Sequence, residues 1–350
     1  MPRKGFTLIE LLVVIAIIGL LSTLAIVALG TARVKSRDAR RVADLKQIQT
    51  ALELYASDNA GAYPPTTSIQ IGDTSHACLN NLGFQSTGCT GTVYIASLPK
   101  DPKGGYYFYT GTGNDYSVAA SLEGNINSLT GPISISPNSG IAASTLIPDD
   151  AATVAHVYWN GSALVDTKSN AWIMNGTVPQ GTYPRSRGSA GPFSASNYYK
   201  LGSGSDPLDL TTYTGRVVFS CAAPADSYFA GNGLWHSAGW YLRIVGGHVY
   251  HSIETAGAGN DIGSPNLVGA GINVASFGYS GGTGYVMLNG IQSSGSGSIS
   301  QDASRVMALG ADVGGASATP CTIYEFMMTS VGYDSTTENA IQQRVLGLLQ

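Results

Sequence analysis

An uncharged apolar run from Leu11 to Leu29 leaves this chain few ways to begin its fold. The run is entered through Phe6-Thr7-Leu8-Ile9-Glu10 and preceded by the short basic stretch Met1-Pro2-Arg3-Lys4-Gly5. A helix of about 19 residues rising about 1.5 Å per residue matches the hydrocarbon core of a bilayer, so one membrane span is predicted. An ordinary secretory signal has a shorter apolar region with a small-residue cleavage site after it. Here the helical pattern continues past residue 30, which places a processing cut before the run.

Glu10 sits at the lip of this run, where a carboxylate in lipid costs roughly 2 kcal/mol or more without a partner. Cleavage after Gly5 creates a cationic amine on Phe6, and a neighbouring subunit's Glu10 can neutralise that amine as helices stack into a bundle. The segment Lys4-Gly5-Phe6-Thr7-Leu8-Ile9-Glu10-Leu11-Leu12-Val13-Val14 resembles the processing and methylation motif of type IV pilins and type II secretion pseudopilins. The resemblance implies that Gly5 precedes the prepilin peptidase cut. It makes Phe6 the N-methylated new terminus and Glu10 the determinant of assembly and methylation. By count alone, Arg33, Lys35, Arg37, Arg40 and Arg41 outweigh Arg3 and Lys4 and would set the far side in the cytoplasm. The resemblance implies the opposite orientation, with the basic leader inside. Family members often carry a proline late in the run, where this chain has Val27, so Gly19 and Ser22 are the remaining positions for local loosening.

Val42, Leu45, Ile48, Leu52 and Tyr55 recur at helical steps, leaving Arg41, Lys46, Gln47 and Gln49 largely elsewhere. This predicts an amphipathic continuation of the first helix, stopped at Asn59-Ala60-Gly61 and kept from resuming by Pro64-Pro65. Tyr106-Tyr107-Phe108-Tyr109 and Asn114-Asp115-Tyr116-Ser117-Val118 read as a hairpin. These segments are similar to the head of major pseudopilins, where a small sheet packs on the helix. The resemblance also brings to mind a calcium loop after the hairpin, but Ser121-Leu122-Glu123-Gly124-Asn125 offers too few carboxylates. Residues 124 to 150 read as a last strand plus a connector.

From Val157 onward, short alternating runs separated by Gly pairs predict an antiparallel sandwich, among them Arg216–Ser220, Trp240–Ile244 and His248–His251. Charged residues are only 11% of the chain while Gly numbers 45, which suits short strands joined by turns. The order of segments from Asp166 through Asn197-Tyr198-Tyr199, Gly239-Trp240-Tyr241, Gly284–Gly290 and Leu309 to Ile323–Met328 resembles the concanavalin-like, laminin-G-type jelly roll. A different β-sandwich is the alternative. A helical tail through Ala340-Ile341-Gln342-Gln343 follows. The expected class is therefore α+β: a long N-terminal helix with a small antiparallel sheet, then an all-β sandwich. Its divisions are a leader (1–5), a membrane and filament-core helix (6–32), a pilin globular domain (33–140), a linker (141–155) and the sandwich (156–350).

Four cysteines, Cys78, Cys89, Cys221 and Cys321, lack metal-ligand spacing, and export to an oxidising space favours disulfides. Pairing within each domain is expected, although four cysteines allow three connectivities. Jelly rolls of the resembled kind bind glycans or proteins on a sheet face or at loop tips, sometimes with calcium. Of the indoles Trp159, Trp172, Trp235 and Trp240, the one at Trp235 lies in a loop and with Tyr228 and His236 forms the candidate ligand platform. Trp172 and Trp240 are assigned to the core.

The chemistry of catalysis is missing. Paired carboxylates on alternate strand residues are absent, with Glu325 beside Phe326 and Met327, and Glu254 and Asp261 assigned to Gly-rich loops. His248 and His251 have no third metal ligand, and no nucleophile motif occurs. No enzyme activity, metal or other cofactor is expected, and calcium in the sandwich has no clear motif. A net charge of −4 argues against a nucleic-acid-binding body.

The resemblance implies a structural subunit held in the cytoplasmic (inner) membrane before assembly and then in an extracellular filament on the cell surface. Its partners are copies of itself and other pilins, the prepilin peptidase and the inner-membrane assembly platform. The sandwich is expected to be a surface-displayed carbohydrate- or protein-binding adhesion domain. The alternatives are a pseudopilin of a type II secretion or DNA-uptake machine and, further off, a membrane-anchored lectin-like glycosidase.

Overall fold

The computed structural model describes residues 8–137, 139–149, 152–159, 163–181, 189–194, 196–201, 210–222, 224–231, 239–255, 258–299, 307–311 and 319–349. One α-helix, α1, spans Leu8–Asp58 without interruption at Gly19 or Ser22. With no proline in its length it runs about 76 Å. It ends where expected: Ala60 and Gly61 take positive φ values of 56° and 82°, and the Gly61 amide donates to the Ala56 carbonyl at 2.8 Å.

The second half of α1 lies on an antiparallel sheet in the order Thr66–Ile71, Tyr107–Gly111, Tyr116–Ile126, Leu129–Ile135, Ala142–Ala143. Leu45, Ile48 and Leu52 are fully buried against Tyr109, Val118, Leu122 and Ile133, with Val42 and Tyr55 at the margin. The predicted hairpin is the centre of this sheet. Two strands stand where one was expected after residue 124, turned at Asn127-Ser128, whose φ values of 50° and 67° suit a tight two-residue hairpin. The insertion between helix and sheet folds into short strands at Cys78–Asn80, Gly83–Gln85 and Val93–Ile95, and the Cys78–Cys89 disulfide closes it.

The second body is a jelly-roll sandwich. Its inner sheet runs Leu164–Asp166, Thr153–Trp159, Thr322–Thr329, Tyr213–Ser220, Ile272–Ser280, Thr283–Leu288, Ile291–Ser296. The outer sheet runs Trp172–Asn175, Tyr198–Leu201, Ala308–Leu309, Ser227–Gly231, Gly239–Val245, His248–Thr255, Ala258–Leu267. First and last strands of the body pair in mid-sheet, Val157 opposite Phe326. Trp159, Trp240, Phe219, Phe229 and Phe277 fill the space between the sheets, and Trp172 packs at their edge. Cys221 and Cys321 are bonded at the ends of adjacent strands.

Two expectations need correction. The linker assigned to 141–155 is shorter, because Ala142–Ala143 pairs with the pilin sheet and the sandwich opens at Thr153. Glu254 and Asp261 lie on adjacent strands instead of in loops, since the glycines around them let side chains fold over a flat backbone. The expected helical tail is present as α2 (Ser335–Leu349), and it is wedged between the inner sheet and the pilin sheet. Ile341, Val345 and Leu348 meet Val218, Val274 and Met327 on one side and Phe108 and Ala119 on the other. A Cβ on Gly347 would stand 2.4 Å from the Phe108 ring, so a glycine is needed for this approach. Arg216 clamps Glu338 through two hydrogen bonds of 2.8 and 2.5 Å, and Gln342 bonds both Ser276 and the Gly290 amide. The two bodies are thereby one packed unit.

Candidate functional site

The site has three parts along the axis of α1. At the free end, the side chains described from Leu8 to Leu29 are exposed, and this apolar stretch finds no covering surface among the described residues. By length and composition it can cross a membrane. Within it Thr23 donates back to the Leu20 carbonyl at 2.8 Å, and just beyond it Thr31 donates to Val27 at 3.3 Å, an arrangement that suits an apolar surrounding. Gly5 and Phe6 lie outside the described residues, and Glu10 falls in the first described turn of the helix.

At the neck, where α1 meets the head, Arg41 is fully buried. The helical steps left this residue off the apolar stripe, and the sheet and the turn at Asp101 close over it. It reaches Asp38 at 2.6 Å, Asp101 at 2.5 and 2.8 Å, and Glu123 at 2.8 Å. Burial alone would lower its pKa, and the three carboxylates overcome that and raise it. Arg37 adds a two-pronged contact to Glu123 at 2.8 and 2.7 Å, which first among causes holds that carboxyl down at about 2. Asp38 also accepts the Glu123 and Gly124 amides at 3.0 and 2.8 Å. Three of the five cations counted after the apolar run therefore have carboxylate partners within the fold, Arg37 and Arg41 in this cluster and Arg40 at the surface with Asp44 at 3.8 Å. The loop considered for calcium has spent its one carboxylate on two guanidinium groups.

At the joint between the bodies, Glu325 accepts the amides of Leu146 and Ile147 at 2.9 and 2.6 Å and contacts His156 Nε2 at 2.7 Å. Asp149 lies 3.4 Å from His156 Nδ1 and is also approached by Lys168 at 3.5 Å. Arg344, fully buried from α2, donates weakly to the Leu146 carbonyl at 3.4 Å, and burial pulls it down to about 10 despite the charge of Glu325. Burial opposes protonation of His156, but Glu325 and Asp149 outweigh it and push the imidazole up to about 9. Its contribution is then complete below about 6.5 and lost as pH rises through 9. Stability of the chain in detergent is expected to fall across that window by on the order of 3 kcal/mol, and His156→Gln to flatten the fall. Equal alkaline slopes for the two proteins would remove the assignment.

Of the proposed ligand platform, Trp235 and His236 lie outside the described residues. Tyr228 is half-buried on the outer sheet, its ring 5.2 Å from that of Tyr241. Among the described residues, no group of three His, Cys, Asp or Glu side chains is placed to hold a metal.

The prokaryotic N-terminal methylation motif matches residues 1–29, spanning Gly5, Phe6 and Glu10. The chain is 32% identical over 117 residues to type II secretion system core protein G of Vibrio cholerae, covering 33% of this chain and 76% of that protein. It is 32% identical over 111 residues to core protein G of Escherichia coli, covering 32% of this chain and 74% of the relative. A fimbrial protein of Pseudomonas aeruginosa is 34% identical over 107 residues, covering 28% and 70%. Among solved structures, the binding domain of botulinum neurotoxin DC in complex with SialylT matches at a TM-score of 0.44 and 9% identity over 56% of this chain. The chain spans about half of that structure's length, 52%. An exposed apolar helix running unbroken into a sheet-covered head, carrying this motif and the likeness to core protein G, makes the chain a member of the type IV pilin and pseudopilin family.

Proposed function

We propose that this protein is a structural subunit of a type IV pilus-like surface filament, in which each copy displays its jelly roll as a binding domain. The observation that carries this reading is the bare apolar half of α1. Such a surface is stable in lipid before assembly or among copies of itself afterwards. The prepilin peptidase would cut after Gly5, the Phe6 amine would be methylated, and an inner-membrane platform would move the helix from lipid into the bundle. Because α2 locks the sandwich to the head, each domain would be held at a fixed angle along the filament. We assign it binding of a glycan or a surface protein, with no catalysis, no cofactor and no nucleic acid.

The similarity to core protein G favours a second reading, in which the filament is a short pseudopilus of a secretion machine. Immunogold labelling of native filaments with an antibody to the sandwich separates the two. Label along surface fibres is expected. Cells with the protein confined to the envelope, and no labelled fibre, would overturn the surface pilus and leave the pseudopilus.

A further inference from the structure

The neck of α1 and the turns packed on it, residues 30–45, 99–106 and 121–124, carry seven cations and four carboxylates. The two signs are not exposed alike. The side chains of Asp38, Asp44, Asp101 and Glu123 are only 1%, 12%, 13% and 11% exposed, and each is held by Arg37, Arg41 or the Tyr107 hydroxyl. Arg33, Lys35, Lys100 and Lys103 are exposed, and Arg40 is 64% exposed with Asp44 no closer than 3.8 Å. What the neck turns toward its surroundings is therefore positive.

Helix geometry fixes the height of these charges. With the uncharged run Leu11–Leu29 filling the hydrocarbon, Arg33 and Lys35 stand about 6 and 9 Å beyond its edge at about 1.5 Å per residue. A bilayer with about 30 Å of hydrocarbon and about 40–45 Å overall leaves about 5–7 Å of headgroups on each side, within reach of both long side chains. Two residues apart, they point about 200° from each other and so meet headgroups on opposite sides of the helix. Arg40 stands about 17 Å beyond Leu29. Lys100 and Lys103 are held near the same height, because Asp101 between them accepts two hydrogen bonds from Arg41 at 2.5 and 2.8 Å. These three act across a gap of about 10 Å, close to the Debye length at physiological salt.

The partner of this collar must be anionic and present at that height on both sides of the helix. A neighbouring copy's helix offers no carboxylate between Leu11 and Arg37, and Glu10 is already given to the Phe6 amine. Lipid phosphates surround the helix at this depth in any bilayer that the span crosses.

We propose that the collar is a binding site for anionic phospholipid on the head side of the membrane, with Arg33 and Lys35 on the phosphates and Arg40, Lys100 and Lys103 adding attraction from above. It acts on the subunit before assembly, so it holds for a surface pilus and for a pseudopilus alike. The test places the full-length, unassembled protein in phosphatidylcholine vesicles and measures immobilisation of spin-labelled phosphatidylglycerol against spin-labelled phosphatidylcholine. The unaltered protein is expected to favour phosphatidylglycerol about fivefold, the equivalent of about 1 kcal/mol for one cation near the surface. Arg33→Gln with Lys35→Gln should bring the two lipids close to parity. Arg40→Gln, Lys100→Gln and Lys103→Gln together should lower the preference about twofold in low salt and leave it unchanged at about 1 M, where the Debye length is about 3 Å. Circular dichroism identical to that of the unaltered protein checks the fold of each variant. Equal immobilisation of the two lipids by the unaltered protein would overturn the proposal, as would a preference that survives Arg33→Gln with Lys35→Gln. Loss of filaments in that double variant with its lipid preference intact would give the cations to a neighbouring copy instead.

Discussion

Glu10→Ala is expected to abolish filaments while leaving the protein in the membrane. In a span of this length a central acidic residue costs on the order of 3 kcal/mol, and a carboxylate near the end retains part of that cost unless it is partnered. In the proposed assembly the partner would be the amine of a neighbouring Phe6, created by a cut after Gly5. Removing the carboxylate makes the helix more comfortable in lipid and takes away the charge that draws it into the bundle, so both changes act against assembly. Electron microscopy of cells carrying the substitution reads the outcome. Mass spectrometry of the same protein should show a terminus at Phe6, which separates failed assembly from failed processing. Undiminished filaments would remove the role given to Glu10.

Arg41→Ala should destabilise the head by about 3–5 kcal/mol, the range for breaking a buried ion pair by deleting one partner. The guanidinium is fully buried, and the Asp38, Asp101 and Glu123 side chains around it are 1%, 13% and 11% exposed. Without it, three carboxylates face one another with only Arg37 to balance them, and its contact is confined to Glu123. Arg41→Lys should fall between, because a point charge cannot span Asp38 and Asp101 as the planar fork does. Denaturant unfolding in detergent measures both. A loss for Arg41→Ala below about 1 kcal/mol, the level of a surface pair, would show that the node is solvated.

Much of the architecture was legible because it rests on local rules. The Asn59-Ala60-Gly61 stop depends on backbone conformations that those residues set within one turn. The Tyr106–Tyr109 hairpin and the Trp240–Ile244 strand depend on alternation of apolar residues. The burial of Arg41 was not legible, for a physical reason. Helical periodicity says which side of a helix a residue is on, but whether that side stays in water depends on Asp101 and Glu123, 60 and 82 positions further along the chain. The same holds for Glu254 and Asp261: their glycines suggested loops, and only cross-strand pairing shows those glycines giving carboxylate and ring space to lie down.

The first helix, its processing motif and its family were determined by sequence alone, because a long uncharged run and a charge at its lip act through solvent, and solvent is the same for every fold. The cysteine pairs were left open by sequence and closed by the strands that bring Cys221 beside Cys321. The joint was decided only in three dimensions. A C-terminal helix with a modest apolar face became the wedge between two bodies because Phe108, Val218 and Met327, far apart in sequence, converge on Val345 and Leu348. In the proposed filament, the cut after Gly5 would let the subunit join, and the wedge would decide how rigidly the filament holds the sandwich.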